Sequence, residues 1–164
     1  MPRKMIRYIC DAVAILRDEY DPEMYVCVIG DKGADTEKLR SYDFVKDLGI
    51  VPFSETLKLF DRAALFVQNS CFESFGLAPL EALASSCPVL VTKEAGALET
   101  IRGILPEDII DKYDDPSGIA SKIKYLLENP NAERLKAGID AESYSWKSRS
   151  RVLAAKLSEL VLKK

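Results

Sequence analysis

The sequence predicts an α/β domain built on a Rossmann-like, doubly wound parallel sheet. Three observations support this prediction. Short apolar runs alternate along the chain with segments that have the periodicity of amphipathic helices. The apolar runs, such as "PVLVT", are continuous rather than alternately apolar and polar, which is typical of strands buried on both faces of a parallel sheet. At 164 residues, the chain also has the size of one domain.

The first half of the chain is predicted to contain three helices and three strands. In the first helix, Ile9, Val13 and Leu16 recur on one face, so this helix is amphipathic. Ser54 is a favourable N-cap residue and predicts the start of the third helix. The predicted helices cover residues 4–19, 35–46 and 54–63, and the predicted strands cover residues 24–30, 48–53 and 64–69.

The second half continues the same alternation. Strands are predicted at 88–92 and 107–113, a loop with a short helix at 95–101, and helices at 78–85, 116–128, 130–143 and within 143–164. The apolar side of the last helix is predicted to carry Trp146, Leu153, Leu157, Leu160 and Val161. The chain opens on a helix, whereas such a sheet normally opens on a strand, so we expect the first strand of the fold to be missing.

The composition excludes several classes of function. The net charge is −3, so we expect no nucleic-acid partner. The chain has no histidine, which excludes Ser-His-Asp and Cys-His catalysis within it. Its four cysteines show no metal-site spacing, so we expect reduced, mostly buried thiols in a cytoplasmic protein, with no metal and no cofactor. No apolar run approaches the roughly 20 residues that span a bilayer, so we expect no transmembrane segment.

The strongest functional pattern lies in residues 71–92, "CFESFGLAPLEALASSCPVLVT". Its loop follows a predicted strand and precedes a predicted helix, and ligands of open α/β sheets bind beyond the carboxyl ends of the strands. Gly76 allows the backbone to approach a ligand closely. Pro79 falls in the first helical turn, where its missing N–H costs nothing. The amides of residues 76–78 then form an anion site that suits phosphate.

Two glutamates, Glu73 and Glu81, flank these amides. A carboxylate beside a bound diphosphate would repel it, so we expect both side chains to accept hydrogen bonds from hydroxyl groups on either side. A ligand that carries a ribose, a diphosphate and a second sugar in this order is a nucleotide sugar, so the pattern predicts a ligand of this class.

The stretch "NSCFESFGLAPLEALASSCPVLVT" resembles the nucleotide-sugar binding segment of retaining glycosyltransferases of the GT-B fold, especially glycosyltransferase family 4 (group 1). Those enzymes carry two glutamates separated by seven residues, with Phe-Gly after the first and Ala after the second. The segments "VCVIGDKG", "AGALETI" and "SWKSRSRVLAAKLSEL" are also similar to parts of that family. The resemblance implies one half of a GT-B fold: a donor-binding domain over residues 1–164, with the N-terminal acceptor domain absent from this chain.

The resemblance also implies roles for individual residues. Glu73 would contact the transferred sugar, Glu81 would hold the ribose hydroxyls, and Lys4 would neutralise the diphosphate. Arg3 would assist Lys4, and Val51 would lie where the base packs. The other donor-binding residues are Ser74, Phe75, Gly76, Leu77 and Ala78, in the loop whose amides face the diphosphate. At the end of the helix that follows, Ser86 replaces a glycine of the family.

The activity implied by the resemblance is retaining, metal-independent transfer of a hexosyl group from a UDP- or GDP-linked sugar to a glycan, lipid or other acceptor. Such a reaction belongs to polysaccharide or glycoconjugate biosynthesis, and the full enzyme would be able to associate peripherally with a membrane. Without an acceptor domain, we expect the chain alone to be inactive. The alternative is a non-catalytic nucleotide-binding or scaffold module of the same fold.

Overall fold

The computed structural model describes residues 4–33, 36–140, 142 and 145–162, with the backbone alone at residues 157 and 159–162. Helices and strands alternate along these residues, as the sequence predicts. The α-helices are α1 (Ile6–Glu19), α2 (Thr36–Leu39), α3 (Phe53–Arg62), α4 (Ala78–Ala84), α5 (Pro116–Glu128), α6 (Ala132–Ala137) and α7 (Trp146–Leu162). The strands are β1 (Val26–Ile29), β2 (Val45–Gly49), β3 (Phe66–Gln68), β4 (Val89–Thr92) and β5 (Ile109–Ile110). Short 3₁₀ turns cover Gly96–Thr100 and Pro106–Asp108.

The strands pair in parallel and form two sheets. In the first sheet, β1 pairs with β2, and Val26 lies opposite Val45. In the second sheet, β4 lies between β3 and β5, and Phe66 lies opposite Val89. Parallel neighbours require crossover connections, which the helices provide. The predicted parallel α/β architecture is therefore confirmed.

Helices cover the three-stranded sheet on both faces. On one face, α1 and α5 pack against each other and form a core that includes Leu16 and Leu90 of β4. On the other face, α3, α4 and α6 contribute to a second core, in which Leu83 joins Val89 and Val91. Because successive strand residues point to opposite faces, β4 is buried along its whole length. This arrangement is the predicted doubly wound one.

Several element boundaries differ from the predicted ones. The helix predicted over residues 35–46 ends at Leu39, and the chain enters β2 at Val45, because that segment pairs with β1. Ser54 does not cap α3: the helix already includes Phe53, and Pro52 occupies the N-cap position. The helix predicted over residues 130–143 is the six-residue α6. At β2, pairing with a distant strand overrides the local helical pattern.

The cysteines divide into buried and accessible thiols. Burial, assisted by the neighbouring Asp11 carboxylate, raises the pKa of Cys10 to about 12. Burial raises the pKa of Cys87 to about 11, so both thiols stay protonated at neutral pH. Cys27 is exposed on β1 and Cys71 is half-buried. Two of the four thiols are therefore buried, whereas most were expected to be. Strand β1, which was predicted to be buried, is largely half-buried.

A buried polar network joins β4, the turn before β5, and α6. Asp108 is 2% exposed and accepts hydrogen bonds from both terminal nitrogens of Arg134 at 2.9–3.0 Å. Asn131 donates to Asp108 at 2.7 Å, and its side chain also pairs with the N–H and the C=O of Val89 at 2.9 and 2.8 Å. Because Val89 begins β4, this network lies at the amino ends of the strands and fixes α6 there.

The last described element is α7. Its Trp146 and Leu153 are 92% and 59% exposed, so the apolar side predicted for this helix is not covered there by the described residues. The side chains of Leu157, Leu160 and Val161 lie outside the described residues. Among the helices that the structure describes, none combines the length and the apolar character needed to cross a membrane.

Candidate functional site

The candidate site lies at the carboxyl ends of β3 and β4. After β3, the chain passes through a loop, residues 69–77, before it enters α4 at Ala78. Glu73 forms a bridge with Ala95, which belongs to the loop after β4. The two loops that the sequence places after neighbouring strands therefore meet at one edge of the sheet, where ligands of such folds bind.

The start of the described chain is fixed at the same edge. The Met5 N–H donates to the Asn69 carbonyl at 2.8 Å, and Lys4 forms an isolated bridge with Ser70. Lys4 Nζ donates to Glu73 Oε2 in an ion pair. The Lys4 side chain is 40% exposed and that of Glu73 is 11% exposed, so the carboxylate is enclosed while the ammonium group stays accessible to solvent. The structure thus brings the two predicted catalytic residues into contact.

The turn of the loop requires glycine. Gly76 has a φ of +77°, a conformation that other residues rarely adopt. A Cβ at this position would lie 2.9 Å from Gln68 Nε2 and 3.0 Å from Glu73 Cγ. Gly76 therefore allows the Glu73 side chain to lie against the turn, directly above the end of β3.

A second glycine packs the two loops together. A Cβ on Gly96 would lie 2.6 Å from the Ser74 carbonyl oxygen. The next residue, Ala97, donates its N–H to the Phe75 carbonyl at 2.7 Å. The predicted donor-binding loop is thus held by backbone contacts from the loop after β4.

The backbone N–H groups of Gly76, Leu77 and Ala78 donate no hydrogen bond to the described part of the protein. The first intrahelical bonds of α4 run from Leu80 and Glu81 to the Leu77 carbonyl, at 2.9 and 3.0 Å. These three amides lie before the first N–H groups that bond within that turn and remain available to a ligand, as the sequence predicts for a loop before a helix.

The remaining predicted site residues differ in their burial and in the element to which they belong. Glu81 is half-buried in the first turn of α4, and Ser74, Phe75 and Leu77 are exposed in the loop. Val51 follows β2, in the two-stranded sheet, and is half-buried. Arg3 lies outside the described residues. The structure places Lys4, Glu73, residues 74–78 and Glu81 along one edge, and their individual roles stay predictions.

A polar cluster that was not predicted from the sequence lies where β3 ends and this loop begins. Gln68, Asn69 and Ser70 are at most 5% exposed, and one polar atom in each side chain lacks a hydrogen-bond partner in the described structure. These atoms are Gln68 Nε2, Asn69 Oδ1 and Ser70 Oγ. Buried polar groups are normally paired, so such a cluster is a candidate for contacts with a ligand or water. The signal in the sequence is a run of three polar residues at the end of an apolar strand.

The described residues contain no group of three or more His, Cys, Asp and Glu side chains that would hold a metal ion. The expectation that the reaction needs no metal stays a prediction.

Comparisons with known proteins show relatives of this chain. Over 100 residues it is 35% identical to a sucrose synthase of Melioribacter roseus, a match that covers 57% of this chain and 13% of that protein. Over 105 residues it is 31% identical to a probable sucrose-phosphate synthase of Thermosipho melanesiensis, and this match covers 62% of this chain and 24% of that protein. The chain therefore spans between about an eighth and a quarter of the length of these curated relatives.

A solved structure with the same fold is the catalytic domain of cholesterol-alpha-glucosyltransferase from Helicobacter pylori. It matches with a TM-score of 0.65 and 19% identity, over 82% of this chain and 86% of that chain. At this identity the likeness shows the fold, which is a Rossmann-like half of the GT-B type. Residues 1–143 also match the model of the family described as "Glycosyl transferases group 1". With most of its length matched, this chain belongs to the group 1 glycosyl transferase family.

Proposed function

We propose that this chain is the donor-binding domain of a glycosyltransferase and that it binds a nucleoside-diphosphate sugar at the carboxyl ends of β3 and β4. The observation that carries the proposal is the Lys4–Glu73 ion pair beside three backbone N–H groups that have no partner in the described protein. A cation and available amides suit a diphosphate. Membership of the group 1 family supports a sugar nucleotide as the ligand.

The proposed roles follow the order of groups along the edge. The amides of the loop, residues 74–78, and Lys4 bind the diphosphate, while Glu81 accepts hydrogen bonds from the ribose hydroxyls. Glu73 accepts hydrogen bonds from the hydroxyls of the transferred sugar. Val51, and Arg3 beside Lys4, are proposed to contact the base and the diphosphate respectively.

Donor binding would exchange the partners of Lys4 and Glu73. Lys4 neutralises a carboxylate that is nearly enclosed, and an enclosed carboxylate without a partner is unfavourable. We propose that Lys4 turns from Glu73 to the incoming diphosphate and that sugar hydroxyls replace it at Glu73. In this proposal the two side chains neutralise each other until the donor supplies a partner for each.

The proposed reaction is retaining transfer of a hexosyl group without a metal ion. The lysine and the amides would stabilise the charge that develops on the leaving diphosphate. A hexosyl group is supported by the names of the relatives, which refer to sucrose and to glucosyl transfer. The acceptor is proposed to be a glycan, a lipid or another molecule bound by a separate acceptor domain, and this chain alone is then expected to transfer nothing. We place the reaction in the cytoplasm, with peripheral association at a membrane when the acceptor is a lipid.

Calorimetric titration with UDP-glucose and GDP-mannose tests the proposal. We expect one of them to bind and Glu81→Gln to weaken that binding about tenfold or more, because hydrogen bonds to a charged group contribute about 1.5–3 kcal/mol. Lys4→Gln is expected to weaken it as well. Glu128→Gln is the matched control, because Glu128 is exposed at the end of α5, away from the loop.

Thermal unfolding gives a second measurement. Donor at about 100 times its dissociation constant should add ~2.7 kcal/mol to the stability of the parent chain, and less to the Glu81 and Lys4 variants. If neither sugar nucleotide binds and the Glu81 variant behaves like the parent, the alternative of a non-catalytic scaffold module replaces this proposal.

A further inference from the structure

The side chain of Gln68, at the end of β3, places an amide group inside the protein on the side of α4. Val67 packs against the core cluster of α1 and α5, whereas Phe66 packs against the cluster that includes α4. Because alternate residues of a strand point to the same face, Gln68 points to the α4 side, as Phe66 does. Gln68 is 5% exposed, and its Nε2 has no hydrogen-bond partner among the described residues. A buried N–H group without a partner is unfavourable, so this amide has a donor that a neighbouring acceptor would satisfy.

A carboxylate lies beside this amide, at the turn formed by Gly76. The point that a Cβ of Gly76 would occupy is 2.9 Å from Gln68 Nε2, 3.0 Å from Glu73 Cγ and 3.5 Å from Glu73 Cδ. The two polar side chains therefore border one small volume, which glycine leaves free of a side chain. The last torsion of Gln and of Glu has a broad range of allowed angles. Rotation of these side chains can thus bring the amide to the carboxylate without movement of the backbone.

Lys4 occupies this carboxylate from the other side. Its Nζ donates to Glu73 Oε2, and the Lys4 side chain is 40% exposed, whereas that of Glu73 is 11% exposed. When Lys4 turns to a bound diphosphate, as in the proposed function, an enclosed carboxylate loses its cation and needs other donors. The two oxygens of a carboxylate offer about four acceptor sites, so sugar hydroxyls leave room for a donor from the protein.

We propose that Gln68 is a positioning residue for Glu73. When Lys4 turns to the diphosphate, Gln68 Nε2 donates to the Glu73 carboxylate and holds it towards the transferred sugar. The inference rests on the proposed function, which assigns Glu73 to that sugar and gives Gln68 no role. Gln68 is neutral and buried, so a diphosphate does not draw it away from Glu73 as it draws Lys4. Gln68 acts through Glu73 and does not itself contact the donor.

Donor titration of Gln68→Met tests this role, because methionine has nearly the length of glutamine and lacks the amide. Calorimetry compares UDP-glucose with UDP, and GDP-mannose with GDP. For the pair that binds, we expect the variant to weaken the sugar nucleotide about tenfold and the nucleoside diphosphate less than about twofold, because only the former presents a sugar to Glu73. Asn129→Leu replaces an exposed amide by an apolar group of similar size and is the matched control, which should change neither affinity.

Stability and a double variant separate positioning from a structural role. An amide without a partner adds nothing to stability, so Gln68→Met should unfold in urea at the midpoint of the parent or above it. In a chain that already carries Glu73→Gln, Gln68→Met should cause no further loss of sugar-nucleotide affinity, because Gln68 acts through Glu73. An equal loss for the sugar nucleotide and the nucleoside diphosphate would overturn the inference, as would a full loss in the Glu73→Gln chain.

Nuclear magnetic resonance tests the same contact with no nucleotide added. Lys4→Met removes the competing cation, so Glu73 is expected to turn to Gln68. Gln68 is the one glutamine in the sequence, and its side-chain N–H signals should move downfield in Lys4→Met and return when Glu73→Gln is added. Signals that stay at their parent positions in Lys4→Met would overturn the role of Gln68. Failure of both sugar nucleotides to bind the parent chain would instead overturn the proposed function.

Discussion

The position of the Glu73 side chain depends on Gly76, which lies beside it in space. Gly76 has a positive φ, and a Cβ at this position would lie within about 3 Å of the Glu73 side chain and the Gln68 amide, so two independent constraints act on one position. The loop can follow this course only because no side chain is present there. Gly33 has neither constraint, since a Cβ there would meet no atom within 4 Å.

We therefore predict that Gly76→Ala destabilises the domain by about 1–2 kcal/mol, the usual cost of a left-handed backbone for a residue with a Cβ, with a further cost from the contacts. Urea unfolding measures the change, and donor titration should show weaker binding because the Glu73 side chain is displaced. Gly33→Ala is the control and should stay within about 0.5 kcal/mol of the parent. Equal stability of the two variants would show that the turn tolerates a side chain.

At the same scale, the sequence predicted part of the site. The spacing of Glu73 and Glu81 around a glycine turn was sufficient to place both beside the loop, because the pattern is local. The pairing of Lys4 with Glu73 joins residues 69 positions apart, and only the resemblance to a family linked them beforehand. The polar atoms of Gln68, Asn69 and Ser70 were not noticed, because a polar run at a strand end resembles an ordinary loop.

At the scale of elements, α4 ends under strain. Ser86, which replaces a glycine of the family, has a φ of 57°. Ser86 and Cys87 donate to the Leu83 and Ala82 carbonyls, both at 2.9 Å, which is the pattern of a helix that stops with a left-handed residue. Lys136 donates to Ser86 Oγ at 2.9 Å on the exposed surface and compensates for little of this strain.

We predict that Ser86→Gly stabilises the domain by about 0.5–1 kcal/mol, because glycine adopts this conformation without the steric cost and loses only a surface hydrogen bond. The midpoint of urea unfolding should rise. Ser85→Gly makes the same chemical change at a φ of −82° and should destabilise the helix end slightly. If both variants lose stability, the end of α4 is not strained.

The element boundaries show where local patterns mislead. Residues 35–46 are polar and have helical spacing, yet the helix ends at Leu39 and the last two residues of the segment begin β2, because Val45 pairs with Val26 of β1. In contrast, α5 has the predicted bounds of 116–128, since Pro116 at its start and the Asp115 carboxylate, which accepts the Gly118 N–H at 3.0 Å, are local signals. The bounds of α5 could be predicted from its own capping residues, whereas the start of β2 depends on a partner strand and was not predicted.

At the scale of the whole molecule, the network of Asp108, Asn131 and Arg134 connects the amino ends of the strands with α6. Asn131 is 1% exposed and pairs with both backbone groups of Val89. Its position opposite the candidate site means that changes there report on stability rather than on donor contacts.

We predict that Asn131→Ala destabilises the domain by about 2–5 kcal/mol, because two buried backbone groups of Val89 lose their partners and each unsatisfied group costs about 1–3 kcal/mol. Urea unfolding followed by circular dichroism measures the change. Asn129→Ala is the control: Asn129 is exposed, and its side chain donates to the Tyr125 carbonyl of its own helix rather than to β4. A loss of less than about 1 kcal/mol in the Asn131 variant would show that water replaces the side chain at Val89.

The sequence by itself determined the class of the fold and the character of the loop after β3. Periodicity, continuous apolar strands, Gly76 and Pro79 are properties of neighbouring residues, and neighbouring residues interact whatever the rest of the chain does. The tertiary structure decided the register of β2, the contact between Lys4 and Glu73, the packing of Gly96 against Ser74, and the division of the strands into two sheets. These features depend on which distant segments meet, and that choice is made by burial and backbone pairing across the whole domain.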